Sequence, residues 1–198
     1  MIPRLATSCE GVDELLAGGI EQGTVTLVYG EAGSGKTSLA LQLSREAIKN
    51  SSDSVVLFVD TEGLSLERME QIFGKVDQGR LLLIRPSSLN DLHQTLTKKM
   101  EQHAKVSLIV VDTINAYVRL SYIKDKERSE RQFLEMTSVL QPLAEKGDFP
   151  VLLSAQVYEK DGEIGPYVGR SLMHLSKAII HLEKAKAPGL RHARLKKH

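Results

Sequence analysis

The sequence predicts an α/β protein with a mostly parallel, twisted sheet flanked by helices. Apolar strand-like runs alternate with segments of helical spacing along all 198 residues. Those runs, such as SVVLFV (54–59), are continuously apolar, which is the pattern of strands covered on both faces. The stretch from Gly30 to Thr37 (GEAGSGKT) follows one such run and opens a helical segment, giving strand, glycine loop and helix in order.

Each element has its own signal. CEGVDELLAGG reads as a short helix ended by Gly18 and Gly19. Thr24 to Tyr29 is a strand. The segment after Lys36 is a helix to about Lys49, with Leu39, Leu43 and Ala47 on its buried face. Ser54 to Val59 is a strand, Leu66 to Phe73 a helix, Arg80 to Ile84 a strand, Leu89 to His103 a helix and Val106 to Val111 a strand. Arg128 to Glu145 reads as one helix with Phe133, Met136, Leu140 and Leu143 on one side. Pro142 should kink it or end it early, because proline cannot donate to Ser138. Pro150 to Ala155 and Lys177 to Glu183 are the last strands.

Composition is that of an ordinary globular chain, 41% hydrophobic and 26% charged. No apolar run approaches the roughly 18 residues of a membrane span. The opening MIPRLATSCEG lacks the apolar block of a secretory signal. The single cysteine, Cys9, excludes an intrachain disulfide and a multi-cysteine zinc site. His93, His103, His174 and His181 have no metal-like spacing. These features fit a cytoplasmic protein. The last 15 residues hold six of the 26 Lys and Arg and none of the 25 Asp and Glu. Such a stretch reads equally as a nucleic-acid contact or as a solvated final hairpin.

The glycine loop carries the most specific chemistry. Glycines let successive N–H groups turn toward a phosphate, and the helix start adds its partial positive charge. Gly30, Glu31, Ala32, Gly33, Ser34, Gly35, Lys36 and Thr37, with Ser38 after them, form the expected cradle of a nucleoside triphosphate. Lys36 reaches the β- and γ-phosphates, and the Thr37 hydroxyl binds magnesium. Ligands in such sheets sit at the C-terminal ends of the strands. Asp112 ends LIVVD there and is suited to hold magnesium directly or through water. Glu62 in VDTEG can orient and deprotonate an attacking water, with Asp60 its competitor and helix capping the alternative for both. Gln156 ends PVLLSAQ, where an amide can bond the γ-phosphate or the water. Loops at about 115–128 and 157–171 mix cations with Tyr117, Tyr122, Tyr158 and Tyr167 and present Arg119, Lys124, Arg128 and Arg170 as candidate DNA contacts. Gly162, Gly165 and Gly169 predict a mobile second loop. Acidic neighbours dilute the charge, and a pair of solvated loops is the plain alternative.

The ordered set ATSCEGVDELLAGGIEQGTVTLVYGEAGSGKT, FVDTEG, LIVVD and LLSAQVY resembles the RecA-like recombinases over nearly the whole chain, and SKAIIHLEK narrows the likeness to the archaeal RadB family of short RadA paralogues. The resemblance implies a RecA-like P-loop NTPase core, one ATPase domain over 1–198, with ATP and Mg2+ as ligands. By it Glu62 is the catalytic glutamate, Gln156 the γ-phosphate sensor, and Arg68 the residue near the adenine. It implies a weak DNA-dependent ATPase that assists recombination and repair beside a RadA-type recombinase. RadA's N-terminal helical DNA-binding domain and its linker phenylalanine have no counterpart in this sequence, so an extended filament is not expected. Relatives continue beyond Lys196-Lys197-His198 into a last strand, so the chain is expected to stop short of it, with its basic tail at an unpaired sheet edge. A nucleotide-gated scaffold that never touches DNA is the alternative of a different class. A KaiC-like ATPase normally has two adjacent glutamates where this chain has Glu62-Gly63, and a helicase core normally brings a ring-assembly domain.

Overall fold

The computed structural model describes residues 2–102, 105–116, 126–160, 163–166 and 170–198. The chain runs β1 (Arg4–Leu5), α1 (Glu10–Leu15), β2 (Ile20–Glu21), β3 (Val25–Gly30), α2 (Lys36–Lys49), β4 (Val55–Asp60), α3 (Leu66–Phe73), a 3₁₀ turn at Gln78–Arg80 and β5 (Leu81–Ile84). It continues with α4 (Leu89–Gln102), β6 (Val106–Asp112), α5 (Lys126–Ser138), α6 (Leu140–Gly147), β7 (Val151–Lys160), β8 (Glu163–Pro166), α7 (Arg170–Leu175), β9 (Ala178–Lys184) and β10 (Arg191–Lys197). The main sheet has the order β10-β9-β3-β7-β6-β4-β5, with β8 paired to β7. Strands β9, β3, β7, β6, β4 and β5 are parallel, and β10 and β8 are antiparallel to their neighbours.

The continuous apolarity of the strands has the consequence expected of it. Along β4, Val56 and Phe58 pack with α1, α2 and α3, while Leu57 and Val59 pack on the opposite face with α4, α5 and α6. A period of two thus fills both cores from one strand. Among the described residues no helix is long and apolar enough to cross a membrane.

Register sets the level of the site. Gly30 lies opposite Gln156, and Asp60 lies opposite Asp112. β3, β4 and β6 therefore end near one level, which β7 passes at Ser154 to Gln156 before running on to Lys160.

Two expectations are corrected. The helix read from Arg128 to Glu145 is two helices, α5 and α6, separated at Val139. Pro142 has no N–H for Ser138, so it falls in the first turn of α6, where a missing donor costs nothing. The second loop is partly a hairpin: β7 runs to Lys160, and Gly165 lies in β8 opposite Tyr158. Tyr117, Tyr122, Tyr167, His103, Gly162 and Gly169 lie outside the described residues. The basic C-terminal stretch is the second arm of a hairpin, one of its two readings from the sequence, with β10 paired along β9 from Arg191 to Lys197. The two-residue strands β1 and β2, paired to each other, had no sequence signal.

Candidate functional site

β3 delivers the loop at its last residue, Gly30. A Cβ there would collide with the carbonyl oxygen of Leu182 on β9. Only glycine lets the loop leave the sheet so close to a neighbouring backbone. Gly33 and Gly35 take φ of +76° and +102°, which L side chains resist. Gly35 caps α2, and the Leu39 N–H donates to its carbonyl at 2.9 Å. The first turn of α2 holds no acidic side chain, so its positive end faces the loop without internal compensation.

Lys36 Nζ donates to the carbonyls of Gly30 and Glu31 at 2.8 Å each. Burial holds its ammonium pKa below the usual lysine value, against the opposing pull of Asp112, Glu62 and Glu31, while Lys184 adds to the depression. Ser34 Oγ is buried and has no hydrogen-bond partner among the described residues. An orphaned hydroxyl in a glycine loop at a helix start suits a phosphate oxygen.

Asp112, at the end of β6, is only 6% exposed. Its Oδ2 accepts from Thr37 Oγ1 at 2.6 Å, and its Oδ1 accepts from Ser154 Oγ on β7. Burial raises its pKa above the ordinary aspartate value, and the two hydroxyl bonds work against that rise. Thr37 and Asp112 together offer the hard oxygen donors that magnesium prefers.

Asp60 and Glu62 differ in what they hold. Asp60 accepts from the Gly63 and Leu64 N–H groups at 2.8 Å each and from Arg85 Nε at 2.9 Å. It closes the turn after β4. Ser65 caps α3 instead, accepting from the Arg68 N–H at 3.3 Å. Glu62 is exposed on that turn and reaches across the strand tips. Its Oε1 accepts from Gln156 Nε2 at 2.6 Å and from Thr113 Oγ1 at 3.1 Å. Thr61 pins the same turn to β6: its Oγ1 donates to the Thr113 carbonyl at 3.0 Å and accepts from the Thr113 N–H at 2.8 Å.

The glycine loop, the start of α2, Asp112, Glu62 and Gln156 thus converge on one side of a mostly parallel sheet. The family model described as Rad51 matches residues 1–190. The chain belongs to the Rad51 family, and within it to the archaeal RadB group. It is 39% identical to the DNA repair and recombination protein RadB of Methanococcoides burtonii, over 98% of this chain and 89% of that one. It is 34% identical to the protein of the same name from Archaeoglobus fulgidus, over 98% and 89%. With that of Thermoplasma acidophilum it shares 32% identity over 92% and 81%.

In this RadB-group chain the structure brings Lys36, Thr37, Asp112, Glu62 and Gln156 together, and leaves other predicted residues apart. Arg68 sits in the exposed first turn of α3. Arg128 is on the exposed side of α5, and Arg170 opens α7. Arg119 and Lys124 lie outside the described residues. Among the described residues no group of three or more His, Cys, Asp or Glu gathers as a metal site. His181 is instead buried in a stack on Tyr29, with ring centroids 4.5 Å apart.

The sequence did not flag Thr113, Ser154, Thr61 or Arg85. Each is a common residue next to a strand tip, and its contact depends on which strands are neighbours. Nor did it flag the hairpin β9–β10 as part of the site. Arg191 Nε donates to the Gly33 carbonyl at 3.2 Å, and Lys184 Nζ lies 3.7 Å from Glu31 Oε2.

Proposed function

We propose that this chain binds ATP with magnesium, hydrolyses it slowly, and serves DNA recombination and repair beside a RadA-type recombinase. The observation that carries the reading is the meeting of Lys36, Thr37–Asp112 and Glu62–Gln156 at one sheet edge. The loop from Gly30 to Thr37, with Ser38, binds the phosphates, and Lys36 exchanges its two carbonyl partners for phosphate oxygens. Thr37 and Asp112 would hold magnesium, which supplies Lewis-acid charge neutralisation when bound. Glu62 accepts a proton from the attacking water, and Gln156 orients that water or reads the γ-phosphate. Gln156 and Thr113 both bond Glu62 through Oε1, which fixes the carboxylate while it keeps lone pairs for the proton. Arg119, Lys124, Arg128 and Arg170 are the proposed DNA contacts, and the DNA role rests on the printed names of the relatives.

Calorimetry with ATP and magnesium tests the first step, and absence of binding by folded protein would end the reading. ATPase rates with and without single-stranded DNA, alone and with a RadA-type recombinase, test the rest. DNA affinity should fall steeply with salt. No DNA binding even at low salt would replace this reading with a nucleotide-gated scaffold.

A further inference from the structure

The hairpin β9–β10 is far from the phosphate loop in sequence and against it in space. Gly33, near the crest of the loop, is touched from two sides. Arg191 donates from Nε to its carbonyl at 3.2 Å. A Cβ on Gly33 would lie 3.2 Å from Cε and 3.5 Å from Nζ of Lys184. The same ammonium is 3.7 Å from Glu31 Oε2, and both side chains are about half exposed. Glu31 is a carboxylate inside a loop built for anions. Left alone it would repel a phosphate.

We infer that the hairpin supplies a second, in-cis cation to the bound nucleotide: Lys184 exchanges Glu31 for a phosphate oxygen, while Arg191 holds the loop crest in place. The inference rests on the nucleotide reading above and adds a binding residue to that site. The chemistry favours the exchange. A triphosphate with one magnesium ion keeps excess negative charge after Lys36 has taken its share. The triphosphate as a whole carries more negative charge than the Glu31 carboxylate. Lys184 sits on a flexible four-carbon stem and need only swing, not unfold, to make the switch. β9 is paired with β3 along Thr26–Gly30 as far as Leu182, two residues before Lys184, which itself pairs with Arg191 on β10.

The exchange separates from a bland alternative in which Lys184 only neutralises Glu31. Calorimetric titration of the full chain with ATP and magnesium is carried out for the unsubstituted protein, Lys36→Ala, Glu31→Gln, Lys184→Ala, Lys184→Arg and Glu31→Gln/Lys184→Ala. Circular dichroism and thermal melting confirm that each is folded. Glu31→Gln should tighten binding severalfold, because Lys184 loses its competing partner. Lys184→Ala should weaken it about tenfold, and Lys184→Arg should recover most of that loss. The decisive comparison is the double variant. A loss of about fivefold or more relative to Glu31→Gln supports a direct phosphate contact, because no carboxylate remains to be neutralised. Equal affinity of those two overturns it. Should the unsubstituted chain bind no nucleotide, the reading itself falls and the inference with it. Should it bind while Lys36→Ala does not, only the comparison at Lys184 decides.

Discussion

Gln156 donates its side-chain N–H to Glu62 at 2.6 Å, joining the middle of β7 to the turn after β4 across 94 positions of sequence. One side chain is the proposed base and the other the proposed phosphate reader, so they report on each other directly. Glu62→Gln should bind ATP within about twofold of the unsubstituted chain and lose turnover by about 10²-fold or more. Calorimetry and a phosphate-release assay on the same preparation check both halves. Unchanged turnover would remove Glu62 from the mechanism.

The Glu62 turn depends on a neighbour that never meets the water. Asp60 holds two backbone N–H groups and Arg85 from a buried position. Asp60→Ala should cost about 1–3 kcal/mol in urea unfolding, since it orphans the buried Leu64 N–H. It should also lower kcat more than it changes ATP affinity. Arg85→Ala should cost less, about 0.2–1 kcal/mol, because that side chain is largely exposed.

Lys36→Ala should abolish the rise in melting temperature that ATP and magnesium give the unsubstituted chain. Its stability without nucleotide should hold or improve, because a buried ammonium is removed. A retained ATP-dependent shift would contradict the phosphate-loop assignment.

Stability should depend on pH through His181. Burial lowers its pKa from the usual 6.5, against the pull of Glu183 and with Lys196 and Arg194 adding to the depression. The unfolded chain then binds the proton more readily than the folded one. This contribution is complete above about pH 6.5 and is lost as pH falls through the lower folded value. His181→Phe keeps a ring against Tyr29 and should flatten that acid-side decline in melting temperature.

Much of this fold is written locally. A β-branched run, a glycine octet and a helical repeat are each short enough to be read in place, and β3, the loop and α2 follow. The same holds for β4 and β6, whose apolar runs end in the acids of the site. What was not legible depends on adjacency. Lys184 and Arg191 meet Gly33 because β9 lies beside β3, and no spacing announces that. Asp60 and Glu62 were rivals on the residues alone, and no spacing shows that Asp60 holds the backbone N–H groups of Gly63 and Leu64. β8 was hidden by Gly165 and Pro166, which read as turn residues. β10 was hidden by its charges, although Ala193 and Leu195 alternate as a half-buried strand requires.

Those charges also bear on how the molecule behaves in a crowd. Among the described residues β10 is the outermost strand of its side of the sheet, and an outermost strand is a template onto which a stranger's strand can add. Along it Arg191, His192, Arg194, Lys196 and Lys197 would each have to be brought against the newcomer, and the pairing shifts register near the end. Replacing these cations with threonine or valine should therefore lower the concentration at which the protein stays dispersed, even where the melting temperature does not move.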